Sequence, residues 1–299
     1  MGSKILYYLI IIPLSVLPYF VLYGISNFMF IILYYVLSYR KKVIVNNIYT
    51  SFPEKSEKEK KRIVRKFYLH FTDLIVESIK NFTVSEKQIS KRVKFLNVEL
   101  IDAFYDKGKS IVTVGGHYGN WEMFAVRVGN VSKHKQYGIY KPLKNKFMDS
   151  KIISSRGAYG LNMISMRETK NYFLKETENP ISIIFGSDQW PSNPQGAHWT
   201  TFLGKRTPFL YGVEKYAKEF NWAVVYCEII RVKRGRFAIK YHELTENPAS
   251  LEKGEMMQLF VDKLENTIYN DPAYWLWSHN RWKQNEEEVF PEKFNVVNE

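Results

Sequence analysis

His117 and Glu122 are the pair best suited to chemistry, in the run Ile111-Val-Thr-Val-Gly-Gly-His117-Tyr-Gly-Asn-Trp-Glu122. A histidine titrating near neutrality can take a proton from a hydroxyl. A carboxylate on its other ring nitrogen fixes the tautomer and stabilises the imidazolium. The spacing permits that partnership, because a loop histidine and a first-turn glutamate can fold back toward each other. The alternative is structural, with Glu122 serving a helix N-terminus and His117 hydrogen-bonded at a strand end.

Other chemistries fare worse. The six histidines, at 70, 117, 134, 198, 242 and 279, include no His-x3-His, and no cysteine pair exists to complete a zinc site. No metal site is expected. The single cysteine, Cys227, lies in the apolar run 222–230 and reads as a small buried hydrophobe; alone it excludes an intrachain disulfide. Gly115-Gly116 lacks the further glycine or the Lys-Ser/Thr pair of a nucleotide-phosphate loop.

The elements that must position His117 follow from the pattern. Val112 to Val114 reads as a buried strand ending at two glycines, and a helix opens near Gly119 or Asn120 with Glu122 in its first turn. Strand-like runs at 111–114, 137–140, 161–164, 181–185, 223–230 and 236–241 alternate with helical ones, which predicts an α/β domain with a mostly parallel sheet flanked by helices. Upstream, residues 54–66 are densely charged and lead into Phe67-Tyr68, Phe71, Leu74-Ile75 and Ile79 at helical spacing, a surface helix with a buried stripe. No internal repeat or low-complexity linker interrupts the chain, and one boundary is expected near residue 45.

The first 45 residues read as an N-terminal membrane anchor, residues 46–299 as the catalytic domain. No charge falls between Ile5 and Tyr39, a stretch long enough as a helix to exceed the roughly 30 Å core of a bilayer and too long for a signal-peptide core. Pro13 and Pro18 each delete a helix hydrogen bond, so the cleaner helix is Val21–Leu37. Arg40, Lys41 and Lys42 follow, and flanking positive residues mark the cytoplasmic side. The formal net charge of +13 favours an anionic partner of some kind.

Gly-Gly-His117-Tyr-Gly-Asn-Trp-Glu122 resembles the His-x4-acidic motif of glycerolipid acyltransferases, and in wording the bacterial lipid A late acyltransferases of the lauroyl and myristoyl type. Further segments follow in order. Asn46-Asn47 through Phe52-Pro53 resembles the family's Asn-rich piece. Tyr140-Lys141-Pro142 with Asn145 and Asp149 resembles its Tyr-Arg-Pro segment, with Lys141 keeping the charge but not the guanidinium fork. Arg156-Gly157, Asp188-Gln189 and Trp277-Ser-His279-Asn-Arg281 complete the set.

The resemblance implies a glycerolipid-acyltransferase-like fold and an enzyme at the cytoplasmic face of the bacterial inner membrane. Such an enzyme moves an acyl chain from acyl carrier protein or coenzyme A to a hydroxyl of a lipid A precursor, with no other cofactor. His117 would then be the general base and Glu122 its orienting partner. Asp188, Arg156, Lys141, Asn145 and Arg281 would bind substrate, while Trp275, Trp277 and Trp282 pack in the core or at the headgroup layer. An aminolipid, a phosphatidylinositol mannoside or a lysophospholipid is the rival acceptor. The basic tracts 133–151 and 231–240 leave open a non-enzymatic basic membrane or nucleic-acid-binding protein, though no nucleic acid is the expected partner. For a carrier-protein donor, the tract 133–151 is the expected landing surface, emerging at the sheet edge that carries His117.

Overall fold

The computed structural model describes residues 2–174 and 177–294. The chain opens with an apolar helical stretch over residues 2–16 that breaks at Leu17 and Pro18, both extended. Helix α1 (Tyr19–Ile31) restarts there and runs on through a π-turn at Ile32–Val36. Together these 18 residues are long and apolar enough to cross a bilayer. Phe20, Phe28, Ile31 and Tyr35 are exposed on it.

The next long helix, α2 (Glu57–Lys80), starts at Ser56, whose hydroxyl accepts from the Glu59 amide while the Glu59 carboxylate reaches back. Its apolar stripe is buried as the spacing predicts, with Phe67 and Tyr68 at 1% and 0% exposure. A second stripe is polar and equally buried: Asp73, Glu77 and Lys80, on neighbouring turns, turn toward the N-terminal segment. Asp73 accepts from Ser26 at 2.6 Å and from Arg234, Glu77 accepts from Tyr23 at 2.7 Å, and Lys80 donates to the Ser15 and Leu17 carbonyls. The apolar N-terminal helix is therefore fastened to α2 by charge-assisted hydrogen bonds as well as by packing.

The sheet begins with β1 (Val93–Phe95) and β2 (Ile111–Gly115), followed by α3 (Trp121–Arg127), β3 (Lys135–Tyr140), α4 (Lys146–Arg156), β4 (Asn162–Ser165) and β5 (Ile181–Gly186). A hairpin, β6 (His198–Phe202) with β7 (Lys205–Phe209), stands apart from it. Then come α5 (Gly212–Phe220), β8 (Ala223–Lys233), β9 (Arg236–Thr245) and α6 (Glu255–Asn270). The seven-stranded order is β1-β9-β8-β2-β5-β3-β4, parallel except where β9 runs against β8. This is the mostly parallel, helix-flanked α/β sheet expected from the alternation.

Strand β2 is central, with β8 on one side and β5 on the other, and its Ile111, Val112 and Val114 are fully buried. A strand covered on both faces reads as a continuous apolar run. One core cluster lies between β2, α2 and α6; a second lies on the opposite face beneath α3. Since β2 and β5 end together at Gly115 and Gly186, whatever follows them is delivered to one crevice.

Candidate active site

Two segments enter that crevice from β2 and β5, and a third crosses from the C-terminal part of the chain. After Gly115 the backbone turns through Gly116 to His117, and residues 274–276 clamp the turn. Leu276 N–H donates to the His117 carbonyl at 3.1 Å, and Gly119 N–H donates to the Tyr274 carbonyl at 2.9 Å. From α2, the His70 Nε2–H donates to the Gly119 carbonyl at 2.9 Å. His70 is buried, which holds its pKa down at about 4, so it is neutral there.

Two glycines in the turn have specific reasons. A Cβ on Gly116 would meet Leu264 at 2.7 Å and the Asp188 carboxylate at 3.1 Å, so a side chain would push the acid away. Gly119 has φ of +60° with Ile229 only 2.8 Å from where a Cβ would stand.

Asp188, two residues past β5, holds His117. Its Oδ1 accepts from Nδ1 of the imidazole at 2.6 Å, and its Oδ2 accepts from the His117 backbone amide at 2.7 Å and from Trp275 Nε1–H at 2.7 Å. Three donors fill an acceptor that is only 2% exposed. Burial opposes the Asp188 charge, but the imidazole and these donors outweigh it and hold the carboxyl at about 2. A carboxylate so held makes Nδ1 the protonated nitrogen and leaves Nε2 as the basic one. Nε2 has no hydrogen-bond partner among the described residues, and the ring is 23% exposed. Burial also opposes charge on His117, yet Asp188 and, more weakly, Glu122 raise its pKa above the ordinary imidazole value.

The expected contact of Glu122 with the imidazole is corrected here. Asn120 caps α3 by accepting from the Met123 amide at 2.8 Å, which puts Glu122 in the first turn as expected. Its carboxylate is taken instead by Arg156 at the end of α4, through two parallel bonds of 2.9 and 2.6 Å. Trp121 Nε1–H also donates to it, at 3.2 Å. A bidentate guanidinium outcompetes a bend back to His117. The Arg156 pKa is raised, because Glu122 offsets the cost of burial.

The remaining expected residues separate by position. Arg156 lines the same cavity as His117, of about 140 Å³, whose other walls include Phe124, Ile139, Met163, Ile184 and Cys227. Asn145 does not face it: its side chain accepts from the Met148 amide as the cap of α4. Lys141 is exposed at the C-terminal end of β3. Arg281 is fully buried, donates to the Pro208 carbonyl at 2.6 Å and lies over the Phe209 ring, with Nε and Nη1 unpartnered among the described residues.

Three participants escaped the sequence reading. Trp275 is indeed core, at 2% exposure, but its indole is also a donor to Asp188. Glu77 accepts from the Asn120 side chain at 2.6 Å, tying the cap of α3 to the N-terminal helix through Tyr23. Burial pushes Glu77 up to about 7. His70 props the turn. The available signal was period: Phe67, His70 and Leu74 share one stripe of α2, so a polar residue sat on an otherwise apolar face.

Comparisons with known proteins bear on this geometry. A sequence model of the family described as bacterial lipid A biosynthesis acyltransferase matches residues 2–284. The lipid A biosynthesis lauroyltransferase of Escherichia coli (strain K12) is similar, at 22% identity over 260 residues, covering 84% of this chain and 81% of that protein. Since the family match takes in the apolar N-terminus, the His117 turn, Asp188 and the clamp at 274–276 alike, the chain belongs to the bacterial lipid A biosynthesis acyltransferase family.

Proposed function

We propose that the protein transfers a fatty acyl group from a carrier thioester to a hydroxyl of a lipid A precursor at the membrane surface. The observation that carries this reading is His117, with Nδ1 held by Asp188 and Nε2 free beside an apolar cavity. Nε2 takes the acceptor hydroxyl's proton as the oxygen attacks the thioester carbonyl. The C–S bond then breaks, an oxygen ester forms, and the thiolate leaves with the proton that His117 carried. The buried Asp188 stabilises the transient imidazolium without accepting its proton, as its low pKa requires.

The cavity beside His117 suits the transferred acyl chain. Its walls are mostly hydrocarbon, with Gly138 on the sheet side next to Leu161 and Met163. Arg156, fixed by Glu122 and lining the same cavity as His117, would stabilise the negative charge that develops on the carbonyl oxygen. In this reading Glu122 acts through Arg156 rather than through the imidazole. No further cofactor is needed.

The membrane helix α1 with its π-turn would keep the site at the bilayer, with Arg40, Lys41 and Lys42 at the headgroups on the cytoplasmic side of the inner membrane. Acyl carrier protein is the proposed donor, with acyl coenzyme A as an alternative thioester. The test is mass spectrometry of products made by the purified full chain in detergent from a lauroyl thioester and a lipid A precursor. One added acyl ester on the acceptor, absent with His117→Ala, supports the reading. Free fatty acid as the only product, or an acylated acceptor with both proteins, contradicts it.

A further inference from the structure

A second apolar cavity, of about 370 Å³, lies on the other side of Trp121, Glu122 and Arg156, between α2, α3 and α4. Its walls include Ile75, Ile79, Phe82 and Ile152. Inside it stands Asn81, only 5% exposed, with both side-chain amide atoms lacking a hydrogen-bond partner among the described residues. Leaving a buried carboxamide unpaired is costly, so such a group marks a place that a polar atom, of water or of a ligand, is expected to occupy. The cavity also runs toward the membrane segment. Phe82 meets Tyr7 edge-on at 5.5 Å, and Tyr7 meets Phe147 at 5.5 Å, within a stretch whose Ile5, Leu6, Leu9 and Ile10 are exposed.

We propose that this second cavity holds a hydrocarbon chain of the acceptor lipid, with Asn81 hydrogen-bonded to a carbonyl or hydroxyl on that chain. The inference rests on the acyl-transfer reading of the His117 site. Two chains must meet at one base. The cavity containing His117 lies over the sheet and suits the thioester's chain, whereas the second borders the N-terminal apolar helix, from which a membrane lipid arrives. Trp121 and the Glu122–Arg156 pair form the partition, lining both cavities in the case of Trp121 and Arg156. Asn81 therefore sets which part of the acceptor lies at Nε2.

The test uses the full chain in mixed micelles with a lauroyl thioester and a lipid A precursor carrying a photoactivatable diazirine in one acyl chain. Asn81→Leu removes the hydrogen bond and Ile152→Phe fills the cavity from the partly exposed helix α4. Each is expected to raise the KM for acceptor about five- to tenfold, the loss of one net hydrogen bond or of chain contact. The KM for donor and its chain-length preference should hold. Crosslinks are expected on peptides of α2 and α4, and to be lost in Ile152→Phe. Unchanged acceptor KM in both variants, a shifted donor chain preference, or crosslinks confined to β5 and α3 would each overturn the assignment. Crosslinks in the second cavity without any acyl transfer would uphold it as a lipid-chain site while refuting the catalytic reading it was joined to.

Discussion

Two acid–base pairs meet at the cavity beside His117, and they are built differently. His117 and Asp188 are 71 positions apart in sequence and meet because β2 and β5 are neighbours; every oxygen of the acid has a fixed donor, one of them Trp275 from a third segment. Glu122 and Arg156 come from two helices, and both side chains remain about a fifth to a quarter exposed, at 22% and 24%. In the first pair the acid is immobilised by three donors while the Nε2 edge of the imidazole stays open, which sets a proton's position. The second, held by two parallel bonds, is a partition between two cavities. A short sequence spacing, His-x4-Glu, thus marks residues that share a site without sharing a bond.

The largest effect expected is from His117→Ala, which removes the base and should cut kcat/KM by about 10²–10⁴ with the thermal midpoint held within a few degrees. Next is Asp188→Asn. It keeps the volume but no longer holds the imidazole's tautomer, so a loss on the order of 10²–10³ is expected, and Trp275→Phe should reproduce a smaller part of it. Activity assays with circular dichroism on the same samples separate these from misfolding. Wild-type rates in either of the first two variants would erase the contrast between the pairs.

Breaking the partition should cost less. Glu122→Gln and Arg156→Met are each expected to lower kcat/KM about 10–100-fold. A double-mutant cycle should return a coupling energy of about 1–3 kcal/mol, because the two side chains act as one unit. Additive losses would mean they act separately.

The smallest effect concerns the donor's approach, and it corrects an expectation. Lys133 and Lys135 do not lie with His117. β3 runs parallel to β5, so Lys135 pairs with Ile181 at the start of that strand, whereas Gly115 pairs with Gly186 at its end, about 17 Å along. Lys133 is also engaged by Asp106 at 2.6 Å. The later part of the tract follows the C-terminal end of β3, where Lys141, Lys144 and Lys146 are exposed. Reversing these three to Glu should raise the KM for acyl carrier protein several-fold at low salt and leave that for acyl coenzyme A nearly unchanged. Equal changes with both donors would remove this surface from the account.

What was legible in the sequence is what local pattern encodes. The apolar strand, the two glycines, the Asn120 cap and the membrane-length helix each follow from neighbours within a few residues. Asp188 was legible as a residue that follows the apolar strand 181–185 to the same sheet edge, but its bond to the imidazole was not, because nothing in one sequence says that β5 inserts between β2 and β3. The burial of Arg281 was hidden for a related reason: a guanidinium near an aromatic motif reads as a ligand for phosphate unless the hairpin that buries it is known. The polar seam of Asp73, Glu77 and Lys80 was masked by the dense charge of the helix around it.

The pH dependence of kcat/KM in Asp188→Asn and Glu122→Gln tests the central claim most directly. His117 must be unprotonated to act, and its pKa is raised, so wild-type activity should climb with pH through a limb above the ordinary imidazole value of about 6.5. Removing either anion withdraws support from the imidazolium and moves that limb to lower pH. The account predicts the larger shift and the larger fall in plateau for Asp188→Asn, with Glu122→Gln shifting the limb only slightly. A larger shift and deeper loss in Glu122→Gln, beside a near-normal Asp188→Asn profile, would return the imidazole to Glu122 and contradict the account.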